Sequence, residues 1–313
     1  MKLNCYFNFE HYTNTYWAHC YMEIFNSLKH NFPEIEFTHI ESHHVLKDPR
    51  NHSCAQCDKT HVVYMRIENP ETKKYLLISY GDKLSRVHHV RGWDTENLVE
   101  IYTSAGVHRS DMLFDNPIEY VPFTYLTEQP AYYDEIYRLR KKEVERIVPD
   151  KLFLYSALYR FRHFVRGDER FYVRDKNDFE MISEGLTYQE YMNNFQVGFN
   201  LNGIAEICHR DIEFLGLGIT LFRPKLNCKF HNELIPNYHY ISVDYDDLKF
   251  EGFNGIYNKN LTDRIYQRWL EVKDDIEYLK FVASNGQKWF DENCTKDKHA
   301  KILTEIIDLN KIL

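Results

Sequence analysis

The chain has 313 residues, 43% of them hydrophobic, and a formal net charge of -8. That length suits two domains rather than one, and the acidic balance excludes a global electrostatic pull toward nucleic acid or anionic membrane. No run approaches the roughly 18 apolar residues of a membrane span, and seven cysteines without regular spacing are expected to be reduced thiols in a cytoplasmic setting.

Lys2 to Phe9 reads as a first strand, and Asn8, Glu10 and His11 interrupt it too soon for a signal-peptide core. A polar loop, Glu10 to Thr15, precedes an expected helix from Tyr16 to His30, which Pro33 ends. Glu36 to Glu41 is a short strand, and Ser42 to Thr60 has no clear period, so it reads as a loop or insertion. Tyr75 to Tyr80 is a strand ending in Gly81-Asp82, with helical character through Arg91 and further strands at Leu98 to Ser104 and Glu119 to Tyr125. Tyr132 to Ile147 is amphipathic and charged, the pattern of a surface helix, and Val148-Pro149-Asp150 stops it. The domains are accordingly expected at 1–148 and 149–313, two α/β halves.

The second half opens with a strand at Lys151 to Leu158, and Thr187 to Asn194 reads as a short helix. From Phe195 to Leu201 apolar and polar residues alternate, which predicts a strand with one buried face. Asn202-Gly203 breaks it. Ile204, Ile207, Cys208, Ile212 and Leu215 then fall on one helical stripe, with Glu206, His209, Arg210 and Glu213 opposite. Gly216-Leu217-Gly218 closes this helix, and a strand from Ile219 to Phe222 stops at Arg223-Pro224. The unit is βαβ, and in open parallel sheets ligands bind where strand ends meet helix N-termini. A strand at Tyr238 to Val243 and helices at Thr262 to Asp275, Ile276 to Asn293 and Lys296 to Leu313 complete the chain.

Each candidate group has two readings. Arg210 suits bidentate recognition of a diphosphate and Glu213 the hydroxyls of a ribose; alternatively the stripe is a solvated face with a Glu206–Arg210 pair. Arg160, Arg162 and Arg166, beside the end of the first strand of the second half, suit a polyanionic leaving group or another solvated face. His52-x-Cys54-x-x-Cys57-x-x-x-His61 has zinc-knuckle spacing but supplies one Cys pair where a structural site uses two. Asp82, at a strand end, and His11, after the first strand, are candidates for a general base or for ordinary turn residues. No Walker loop, GxGxxG, GxSxG or HExxH pattern occurs, which argues against the corresponding ATPases, dehydrogenases, esterases and metalloproteases.

The order of short motifs in the second half resembles the family 90 glycosyltransferases, the capsule-associated and protein O-glucosyl/O-xylosyl transferases. The matching residues are Leu201-Asn202-Gly203, Arg210, Gly216-Leu217-Gly218-Ile219, Phe230 to Pro236, His239 to Val243, and Ala283 to Gln287 with Phe290. The resemblance covers about 120 residues, and the first half does not share it. It implies two Rossmann-like domains facing across a cleft, the GT-B arrangement, with the donor held by the second domain and the acceptor by the first. It also implies a nucleotide-sugar co-substrate, expected to be a UDP-sugar, a glycan or other hydroxyl acceptor, and no metal or other cofactor. On this reading Arg160, Arg162 and Arg210 face the diphosphate, Asn202, Gly203 and His209 line the donor, Glu213 holds the ribose, and Asp82 or His11 is the base. The alternatives are a glycosyltransferase acting on DNA bases, for which Lys73, Lys74, Arg86 and Arg91 are a thin basic groove, and a zinc-bearing interaction domain around Cys54 and Cys57.

Overall fold

The computed structural model describes residues 1–7, 16–41, 64–80, 96–103, 107–108, 119–123, 130–156, 165, 167–175, 188–201, 207–226, 228–244, 259–295 and 297–313. The chain divides into two compact units. The first holds Met1–Pro130, Asn227–Glu233 and Asn293–Leu313; the second holds Ala131–Leu226 and Leu234–Glu292. Val148 to Asp150 thus lie in the second unit. Both units are mixed α/β with parallel-rich sheets, in line with the class expected from the sequence.

In the first unit, β1 (Lys2–Phe7), β2 (Glu36–Glu41), β3 (Tyr64–Glu68), β4 (Tyr75–Ser79), β5 (Leu98–Thr103) and β7 (Glu119–Pro122) form one sheet of order β2-β1-β3-β4-β5-β7. Neighbours run parallel except where β3 lies between β1 and β4, antiparallel to both. Strand β3, five residues in which buried Met65 and Ile67 alternate with a paired Arg66 and Glu68, was not foreseen. Helix α1 (Tyr16–Asn31) covers the sheet with Tyr21, Ile24 and Leu28 buried. A two-residue strand, β6 (Val107–His108), pairs antiparallel with β12 (Cys228–Lys229).

In the second unit, β8 (Leu152–Ser156) runs parallel to β9 (Phe171–Asp175), and β10 (Val197–Phe199), β11 (Thr220–Pro224) and β13 (Ile241–Val243) form a parallel ladder in that order. The parallel bridge between Ile147 and Phe195, closed by hydrogen bonds of 3.0 and 2.8 Å, brings the entrance of β8 beside that of β10. The two ladders, β9-β8 and β10-β11-β13, are joined side by side by that bridge, which gives the 2-1-3-4-5 order of a doubly wound sheet. One face packs Leu152, Leu154, Val197, Phe199, Phe222 and Ile241 against Trp269 and Ile265 of α5 (Lys259–Val272) and Leu279 and Val282 of α6 (Ile276–Asn293). Strand β9 also escaped the sequence reading, being short and without clean alternation.

Three boundaries differ from expectation. The charged helix is α2 (Pro130–Arg140), which stops seven residues before Ile147 because Arg140 and Arg146 turn inward to bind backbone carbonyls and Ile147 joins a bridge. Tyr238 and His239 form a turn ahead of β13 rather than its first residues, with Asn237 in the left-handed region at φ 59°. The last helix, α7 (Lys298–Ile306), belongs to the first unit, where Ser27 and Thr304 share a 3.3 Å hydrogen bond across α1 and α7.

At Gly198 helix and sheet approach closely. A Cβ built there would lie 2.6–2.8 Å from the ring of Phe214, a residue of the helix packed on β10. Alanine in a strand ordinarily gains over glycine, so the sign of the change is informative. Gly198→Ala is expected to lower unfolding stability by roughly 1–3 kcal/mol, the usual cost of overpacking, in urea denaturation; a neutral or stabilised variant would refute this packing.

Candidate functional site

The strand order reverses between β8 and β10: the chain passes from β8 outward to β9, then returns to β10 and continues the other way through β11 and β13. In open parallel sheets this switch leaves a crevice at the carboxyl ends of the strands. The stretch holding Arg160 and Arg162 follows β8, and α4 (His209–Leu217) follows β10. Helix α3 (Tyr188–Met192) precedes β10.

Helix α4 starts later than its apolar stripe predicts. Cys208 is the N-cap, with extended backbone, and Ile207 lies before the helix. The reason is local. The carboxylate of Asp211, third residue of the helix, accepts the Cys208 N–H at 2.7 Å, which is half of a capping box. Arg210 is therefore in the first turn, and not about two turns along as a helix begun at Gly203 would put it. The C-terminal end follows expectation: Gly218 adopts φ 67°, its N–H meets Leu215 O at 3.1 Å and that of Ile219 meets Phe214 O at 2.9 Å.

Asp211 does more than cap. It is fully buried, accepts Asn200 Nδ2 at 2.7 Å on one oxygen, and pairs with Arg223 Nη1 at 2.5 Å on the other. Asn200 directly follows β10, and its backbone N–H still reaches Phe222 O at 3.0 Å. Arg223 is fully buried within β11; the strand does not end before it, as the Arg-Pro pair suggested, but carries it inward to Asp211. None of these three residues was singled out from the sequence. The Cys208-x-x-Asp211 spacing was the available signal, weakened because cysteine is a poor substitute for serine or threonine at an N-cap.

Glu213 is 4% exposed, so the helix face that carries it is not a solvated one. Among the described residues its carboxylate accepts one long hydrogen bond, from Gln189 Nε2 at 3.4 Å. Burial pushes its pKa above the ordinary value, against the pull of the charges of Arg210 and His209 and of that hydrogen bond. Arg210 lies with its guanidinium 5.7 Å from the ring centroid of Tyr188, and both His209 and Arg210 are half-buried. The structure thus groups His209, Arg210 and Glu213 on the first turns of α4. Asn202, Gly203, Glu206, Arg160, Arg162, Asp82 and His11 lie outside the described residues, as do Cys54 and Cys57. Among the described residues no cluster of three His, Cys, Asp or Glu side chains could hold a metal, and no helix is long and apolar enough to cross a membrane.

No protein-family model and no curated protein matches the chain. Among solved structures it is similar to S. aureus TarM. One structure is of a TarM mutant in complex with Fondaparinux, alpha-GlcNAc-glycerol and UDP: 10% identity, TM-score 0.36, over 79% of this chain and 61% of that one. A second TarM structure gives 11% identity and a TM-score of 0.37 over 80% and 64%. The chain therefore spans less than two thirds of those proteins.

Two outcomes follow from this geometry. Asp211→Ala strands a buried guanidinium and is expected to cost about 3–5 kcal/mol in denaturant unfolding, whereas Asp211→Ala with Arg223→Met should recover most of that loss, because no unpaired charge remains. Equal destabilisation by both would show that the pair's charge is not the operative term. Glu213, whose folded pKa is raised by burial, keeps its proton to higher pH in the native state than in the unfolded chain, which releases it near 4.5. Stability accordingly falls as pH rises from that value, and the cost persists above the folded pKa. Glu213→Gln is expected to unfold at a higher temperature than the parent at pH 7–8, with the gap closing as pH falls below 4.5; a gap independent of pH would remove Glu213 ionisation as its cause.

Proposed function

We propose that the chain is a glycosyltransferase that moves a sugar from a nucleotide-sugar donor to a hydroxyl acceptor, with the donor held at the first turn of α4. The observation that carries this reading is the grouping of an arginine, Arg210, and a buried, under-bonded carboxylate, Glu213, at the start of a helix beside the strand-order switch. A helix N-terminus and a guanidinium both favour a diphosphate. A carboxylate with unused acceptor capacity favours vicinal hydroxyls, as on a ribose. A ligand with both is a nucleoside diphosphate derivative, and a UDP-sugar is the donor we assign.

In the reaction the acceptor oxygen bonds to the anomeric carbon while the bond from that carbon to the diphosphate oxygen breaks. The departing diphosphate gains negative charge, which Arg210 and the end of α4 stabilise more strongly than they do the intact donor. No metal is needed for that role, and Arg160 and Arg162 would add to it. His209, Asn202 and Gly203 would line the donor, and Asp82 or His11 would take the acceptor proton. A GT-B arrangement, with the acceptor on the first domain, completes the proposal.

A thermal-shift screen against UDP-, GDP- and CMP-sugars tests it first, since a donor that binds the folded state raises its melting temperature. With the donor found, Arg210→Ala is expected to lower the rate of nucleoside diphosphate release by about a hundredfold, on the order of 3 kcal/mol. Arg210→Lys should recover little, because an ammonium cannot reproduce the fork. No shift with any nucleotide-sugar, or near-normal turnover in both variants, would overturn the assignment.

A further inference from the structure

We infer that Asn200 is a second ligand-reading residue of this site, its side-chain oxygen Oδ1 accepting a hydrogen bond from a sugar hydroxyl of the donor; this rests on the nucleotide-sugar reading above. Asn200 is fully buried at the carboxyl end of β10. Its Nδ2 is committed to Asp211 at 2.7 Å. The orientation of the amide follows from chemistry: Asp211 accepts from Arg223 Nη1 and from the Cys208 N–H, and the group of Asn200 that faces this acceptor is the NH2. The opposite atom, Oδ1, is buried and has no hydrogen-bond partner among the described residues.

Such an atom is an exception among native buried polar groups, most of which are satisfied. Leaving it unmet costs on the order of 1–3 kcal/mol. It is also a pure acceptor. An ionised diphosphate offers no donor, so the phosphates that suit Arg210 cannot satisfy Asn200. Its complement is an O–H, and in a nucleotide-sugar the hydroxyls lie on the ribose and on the transferred sugar. Asn200 is tied through Asp211 to the first turn of α4, the turn on which the proposed donor is seated. A trapped water would satisfy the same atom and leave ligand discrimination unmoved.

The test is a cycle between protein and ligand. UDP, 2′-deoxy-UDP and UDP-glucose, or the GDP and GDP-mannose counterparts if those bind, are titrated calorimetrically into the parent, Asn200→Ala and Asn200→Ser. The serine variant keeps a hydroxyl able to donate to Asp211. The parent is expected to lose about tenfold in affinity when the recognised hydroxyl is removed, and the variants less than threefold. Loss of the ribo-over-deoxy preference assigns the ribose; loss of the preference for the nucleotide-sugar over the diphosphate assigns the transferred sugar. Preferences that are equal in parent and variants overturn the inference and leave the nucleotide-sugar reading intact. A parent that binds none of the nucleotides overturns that reading and the inference with it. If neither variant folds, Glu213→Gln replaces them: a preference for the hydroxyl that persists without the Glu213 carboxylate supports Asn200, and one abolished with it overturns the inference.

Discussion

The buried ion pair of Asp211 and Arg223 is the constraint on which the site depends. Both side chains are fully buried, so each loses its hydration on folding, a penalty the pair offsets only through a 2.5 Å contact and further hydrogen bonds. Asp211 meets that condition by accepting Asn200 Nδ2 and the Cys208 N–H as well. The result joins three elements: β11 through Arg223, the end of β10 through Asn200, and the start of α4 through the cap. It also settles an electrostatic conflict. An acidic residue in the first turn favours the helix dipole but would repel an anionic ligand at the same place. With Arg223 cancelling its charge, Asp211 caps the helix and the end of α4 remains suited to a diphosphate beside Arg210.

The other end of α4 is held as firmly. Arg140 Nε donates to Gly216 O, Arg146 Nη1 to Gly218 O, and Arg146 Nη2 to Leu217 O at 2.7 Å, so two cations sit on the last carbonyls of the helix. That is the sign the helix dipole favours at its C-terminus. A helix of nine residues has little stability of its own. Here its two ends are fixed by charge and its underside by the close approach of Phe214 to Gly198. Sites that must hold a group within a fraction of an ångström are best placed on elements supported in this way.

How much of this the sequence could disclose differs from element to element. Period-two alternation found β10 and the glycine at 218 found the end of α4, because both signals are local and act through backbone geometry. The start of α4 was misread because Ile207 and Cys208 continue the apolar stripe; what stops the helix is a carboxylate three residues beyond the cap, a weaker signal than hydrophobic period. Arg223 was invisible as a core residue. Arginine between Phe222 and Pro224 looks like the end of a strand, and its burial is made tolerable by a carboxylate twelve residues earlier, Asp211. The same holds for Glu213: sequence spacing placed it with Arg210, but not in an interior where its carboxylate has one long hydrogen bond.

Satisfied and unsatisfied groups around α4 together say what kind of molecule fits. Asp211 uses both oxygens, Arg146 donates to backbone carbonyls, and Arg140 divides between the Gly216 carbonyl and the Asp291 carboxylate. Acceptor capacity is left over on Glu213 and on Asn200. Asp211, to which Asn200 is bound, and Glu213 are two residues apart, so they project about 200° from one another around the helix. One small donor cannot serve both sides. A bare phosphate would answer Arg210 and neither acceptor; a simple sugar would answer the acceptors and not the arginine. Only a ligand with an anionic centre and hydroxyls spread to either side of it uses all three, and natural proteins tolerate locally unfavourable groups chiefly where a ligand completes them.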